Sequence, residues 1–116
     1  MSSILVLGID PHSVPGMDGD AVLSLLDKDL ARLHGEGIEA VSALVKINEP
    51  PEASVVAPLS QREWDVVVIG GGIRKPEPLL PLFEQIVNLV RRHAPGAAIA
   101  FNASVDDTYE AARRHL

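Results

Sequence analysis

The chain has 116 residues, 47% of them hydrophobic and 22% charged, with a formal net charge of -6 and no cysteine. That size and composition fit one folded domain, residues 1–116, with a modest aliphatic core. An acidic balance with scattered cations argues against nucleic acid or an anionic membrane surface as a partner. The missing cysteines exclude disulfides, thiolate catalysis and cysteine-ligated metal. No apolar run has membrane-spanning length, and Met1-Ser2-Ser3 lacks a charged leader pattern, so a cytoplasmic protein is expected.

Ile4–Ile9 is an apolar run that stops at Asp10-Pro11, and it predicts strand one. Residues 11–19, PHSVPGMDG, form a loop by their Pro, Gly and Asp content. Helix one is expected from about Asp20 to His34, with Val22, Leu26, Leu30 and Leu33 on one face. Asp18 or Asp20 suits its N-cap, and Gly35 its end. Ala40–Ile47 is strand two, broken by Asn48-Glu49-Pro50-Pro51. Between 53 and 64 the only local signal is Ser60-Gln61-Arg62-Glu63, a capping-box form that predicts a short helical turn.

Asp65–Ile69 is strand three, and its unbroken Val/Ile run fits a strand buried on both faces. A helix from about Pro78 to His93 carries Leu79, Leu82, Phe83, Ile86, Val87, Leu89 and Val90 on a wide face, part of which is expected to stay uncovered. Ala97–Phe101 is strand four. Ser104 is expected to cap the last helix, with Asp107 reaching back to it. The cation pairs Arg91-Arg92 and Arg113-Arg114 close two helices, where they complement the macrodipole.

Alternating buried strands and helices predict an α/β fold: a three-layer, doubly wound parallel sheet of about four strands. By analogy with the usual flavodoxin-like (Rossmannoid) arrangement, the expected strand order is 2-1-3-4. No fifth strand follows, so strand four is expected as an exposed edge that a second copy would cover.

In open α/β sheets, ligands lie beyond the carboxyl ends of the strands where strand order reverses. Here that place is between strands one and three. It gathers Asp10, His12 and Ser13 with Gly70, Gly71, Gly72 and Arg74, flanked by Glu49 and Asn102. Consecutive glycines let backbone N–H groups face a ligand, and Arg74 and Lys75 add charge, which suits a phosphate or carboxylate. The plainer role is a tight strand-to-helix turn with solvated cations. Neither a P-loop nor a dinucleotide fingerprint is present. Asp10 and His12 have the composition of a general acid–base pair. Asp10 equally suits a cap for the turn at Pro11, and no metal set is expected from a two-residue spacing alone.

The alternation resembles that of receiver domains. That family's phosphoacceptor position falls on Gly70 and its fifth strand is missing, so the resemblance implies no phosphorelay chemistry here. Asp10-Pro11-His12-Ser13-Val14-Pro15-Gly16 resembles the D-x-H-x-x-G loop of cobalamin-binding domains, and that resemblance implies His12 as a cobalt ligand. It covers seven residues. Gly70-Gly71-Gly72 and Asn102-Ala103 replace the segments that hold the nucleotide tail in that family.

Two functions are therefore expected in parallel, with a degenerate cobalamin-binding-like domain ranked below them. One is a domain that binds a small anionic metabolite, with turnover by Asp10 and His12 as its catalytic form and its cofactor left unnamed. The other is a non-catalytic, receiver-like interaction module acting as a homodimer or as a subunit of a larger assembly.

Overall fold

A computed structural model describes residues 2–116. In chain order the elements are β1 (Ser3–Ile9), a 3-10 turn (Pro11–Ser13), α1 (Gly19–Gly35), β2 (Glu39–Val45), α2 (Glu52–Ser60) and β3 (Val66–Ile69). Then come α3 (Gly71–Arg74), a 3-10 turn (Glu77–Leu79), α4 (Leu80–His93), β4 (Ala98–Phe101), a 3-10 turn (Val105–Asp107) and α5 (Thr108–Arg113). The four strands form one parallel sheet in the order β2-β1-β3-β4. Among the described residues, no helix is long and apolar enough to cross a membrane.

Period-2 alternation along the strands sorts the core into two layers. Leu5, Leu7, Val67 and Ile69 pack under α2 and α4, against Val55, Leu59, Ile86 and Val90. Ile4, Val6, Val66 and Val68 pack under α1 and α5, against Leu26, Leu30, Leu33, Ala111 and Ala112. Both central strands are thus covered twice, which explains why β3 is written in Val and Ile alone.

The 52–60 segment corrects the sequence expectation. It is a nine-residue helix, and Ser60 of the supposed capping box is its last residue. Pro50 and Pro51 precede the first turn, where no N–H is required of them. Pro58 lies near the end, so its lost hydrogen bond does not stop the helix. The last helix also differs. Ser104 makes no side-chain cap to it. Asp107 accepts from the Ala103 N–H at 2.8 Å instead. Buried Asp29 of α1 supplies the cap of α5, accepting the Tyr109 N–H at 2.8 Å.

Each sheet edge has one outward carbonyl met by a side chain. Glu39 N–H and Val45 C=O bond toward β1, so the even residues of β2 turn their carbonyls outward. His34 Nε2 lies 2.8 Å from one of these, Ala40 O. On the other edge, Ala98 N–H points to β3, so Phe101 C=O faces out, and Arg114 donates to it at 2.9 Å. A side chain from beside each helix thus covers an edge carbonyl that an added strand would need. β4 is an edge strand, as expected, with its Phe101 carbonyl covered by Arg114.

Candidate functional site

The upper end of the α1/α5 face is built differently from the rest of the sheet. One row across it reads Ser42–Val6–Val68–Ala100, in which Val6, Val68 and Ala100 are buried and Ser42, on the edge strand, is exposed. Two residues further along each strand the row reads Leu44–Gly8–Gly70–Asn102. Gly8 pairs with Leu44, while Gly70 donates to Leu7 O at 2.8 Å. Neither central strand carries a side chain at this level. The omission leaves a cavity of about 140 Å³ beneath α1, at the place where strand order reverses.

Aliphatic groups make most of its wall: Val6, Ile9, Val22, Leu23, Leu26 and Leu44, with Val105 opposite. Pro11 and Met17 from the β1–α1 loop cover the outer side. Gly70, Gly71 and Gly72 border it with Asn102 and Thr108. The glycines are needed for proximity. A Cβ on Gly72 would come 2.9 Å from Ile9 Cγ2, and one on Gly71 would come 3.3 Å from Ala103 O.

The polar groups here are largely paired with one another. Asn102 is 3% exposed. Its Oδ1 accepts the Gly71 N–H at 2.7 Å, and its Nδ2 donates to Thr108 Oγ1 at 3.0 Å. Thr108 in turn donates to Val105 O at 2.8 Å. Arg74 donates through Nη2 to Asn102 O at 2.8 Å, and its guanidinium carbon lies 5.8 Å from the Phe101 ring centroid. Lys75 Nζ donates to Ala103 O. The two cations therefore face loop carbonyls beyond β4, and neither belongs to the cavity wall. Arg74 Nε is buried with no partner among the described residues. Of the three glycine N–H groups, those of Gly70 and Gly71 are bound within the protein. That of Gly72 has no acceptor among the described residues, as expected for the second residue of a helical turn.

Asp10 caps the 3-10 turn by accepting the His12 N–H at 3.0 Å. Ser13 Oγ donates to Asp10 O at 2.7 Å and accepts from Ile47 N at 3.3 Å, tying the loop to the end of β2. His12 Nε2 sits 3.1 Å from Asp20 Oδ1 and its Nδ1 sits 3.7 Å from Asp10 Oδ1. Its ring lies against Gly19, where a Cβ would come within 2.4 Å of Cδ2. The Asp10–His12 pair is real, but it stands outside the wall that Pro11 and Met17 form. Glu49 is exposed in the turn after β2 and does not border the cavity. Gly16 follows His12 by four residues, one more than in the cobalamin-type loop. Among the described residues, no group of three or more His, Asp or Glu side chains is placed to hold a metal ion.

The structure thus gathers Gly70, Gly71, Gly72 and Asn102 at one cavity and leaves Asp10, His12, Ser13, Glu49 and Arg74 around it. Sequence inspection missed Gly8, Thr108 and the aliphatic wall. A glycine inside an apolar strand was the available signal for Gly8, since it marks a weak or closely approached position. Comparison of the chain with protein-family models, curated proteins and solved structures gives no match.

Proposed function

We propose that this chain is a small-molecule binding domain whose ligand occupies the cavity at the carboxyl ends of β1 and β3. One observation carries the proposal: glycine stands on the same face of both central strands, Gly8 near the end of β1 and Gly70 just past β3, so the core is left open where α/β sheets take their ligands. Gly72 borders the cavity and its N–H has no acceptor among the described residues, which leaves a donor for a neutral carbonyl oxygen. Asp10 and His12 are the groups within reach for acid–base work, but their place outside the wall supports binding further than turnover. Native mass spectrometry of the purified protein tests the proposal, followed by methyl-resolved NMR against a metabolite panel. A retained ligand, or saturable shifts at Val22, Leu26 and Leu44, is expected. A panel that leaves all three unmoved refutes it.

A second function, an interaction module, is favoured by a small apolar patch at the β4 side. Leu80 is 53% and Phe101 39% exposed. Between them Phe83 meets Phe101 edge-to-face at 6.0 Å. If this patch joins two copies, sedimentation at micromolar concentration gives a dimer that Leu80→Glu dissociates. A monomeric native chain rules it out.

A further inference from the structure

The chemical class of the ligand follows from what the wall lacks. Among the described residues, no charged side chain borders the cavity. The amide of Asn102 and the hydroxyl of Thr108 are already engaged, in a chain running from the Gly71 N–H to Val105 O. An ionised group inside would lose its hydration without gaining a partner, which is the costliest form of burial.

The approach is also unfavourable to anions. Pro11 and Met17, the loop residues in the wall, are each next in sequence to an aspartate, Asp10 and Asp18. Asp20 stands beyond them with its side chain 95% exposed. The nearby cations Arg74 and Lys75 are turned to the carbonyls of Asn102 and Ala103. His12 is held between Asp10 and Asp20. The cation-lined anion site expected from the sequence is thus not assembled at this mouth.

We propose that the cavity takes a neutral, apolar ligand or ligand moiety of roughly benzene size. This rests on the binding function proposed above and narrows it. The cavity holds about 140 Å³. An apolar cavity of about 150 Å³ in another protein stays dry and admits benzene. A wall made mostly of branched side chains favours a compact ring or a short branched chain over an extended one. Met17, unbranched and 42% exposed, is the adaptable part of the cover. The Gly72 N–H, which has no acceptor among the described residues, is the donor that a single neutral polar substituent could use.

The test titrates the full chain, methyl-labelled, with benzene, benzoate and inorganic phosphate in turn. Benzene should shift Val22, Leu26 and Leu44 methyls saturably, and benzoate should bind at least about tenfold more weakly because its charge must be dehydrated. Phosphate should leave these methyls unmoved. The control is Gly8→Val, which places a side chain in the cavity. The way in is open, since a Cβ at Gly8 meets only Leu44 Cδ2, at an ordinary 3.6 Å. Gly8→Ala serves the same purpose if the valine variant does not fold. Either should weaken benzene binding at least about fivefold, the valine more, as expected when a filled space no longer admits a guest. Benzoate or phosphate binding as tightly as benzene overturns the apolar class but leaves the binding function standing. Benzene shifts that persist undiminished in the filled variant show that the guest lies elsewhere and overturn the proposal. No shift with any of the three overturns the apolar class, while the metabolite panel separately decides the broader binding function.

Discussion

Asn102→Ala is expected to cost the protein a large share of its stability, although it removes no core hydrophobe. The side chain joins three separate pieces of chain. Oδ1 holds the Gly71 N–H at 2.7 Å where β3 becomes α3, and Nδ2 holds Thr108 Oγ1 at 3.0 Å where α5 begins. Gly71 is buried, so truncation leaves its N–H unsatisfied at about 1–3 kcal/mol. The lost bond to Thr108 adds about 1 kcal/mol. Water entering the adjacent cavity would recover part of the first cost. The net expectation is about 2.5 kcal/mol, or roughly a 10 °C fall in Tm for a domain of this size. Urea denaturation of the native and variant proteins measures it, with an unchanged m-value showing that the denatured state is unaltered. Asn102→Asp separates the two bonds, because it keeps an acceptor for Gly71 and loses the donor. A loss below about 0.5 kcal/mol for Asn102→Ala would refute the view that this amide holds the β3–α3 turn to α5.

Other expected outcomes rest on single contacts. Gly72→Ala should destabilise by about 1–2 kcal/mol in chemical denaturation, because its methyl would press on Ile9 Cγ2 at 2.9 Å and a β-branched neighbour cannot rotate away freely. His12→Ala should change stability by less than about 0.5 kcal/mol, since the ring is half exposed and its carboxylate partners stay hydrated; it should abolish activity only if the protein has one that uses this pair. Tyr109 is hydrogen-bonded to Glu36, and that bond first, with burial and the Glu36 charge behind it, raises the phenol above its ordinary 10.0. Folding therefore favours the protonated phenol; this stabilisation is complete below pH 10 and is lost as pH rises through the folded-state value. Absorbance of this sole tyrosine should titrate above 10 and move down in Glu36→Gln. Arg114→Ala should uncover Phe101 O on the β4 edge and increase concentration-dependent self-association, read by sedimentation.

How much of this could be read from the chain alone differs element by element. Local pattern suffices for the strands and for α1 and α4, because apolar period and terminal Pro, Gly and Asp act over a few residues. The β-α alternation then leaves few topologies, and the order 2-1-3-4 follows from the general habit of doubly wound sheets. The helix at 52–60 was obscured by prolines, whose effect depends on whether they fall in a first turn or an interior. The cavity is the clearest case of what only tertiary structure decides. Period 2 places Gly8 and Val6 on one face of β1 and Gly70 and Val68 on one face past β3, but the match between strands is set by packing. Only the parallel register puts Gly8 and Gly70 side by side between Leu44 and Asn102. The same holds for Arg74 and Lys75: sequence supplies two cations beside three glycines, whereas the folded chain brings the carbonyls of Asn102 and Ala103 to them and leaves both out of the cavity wall.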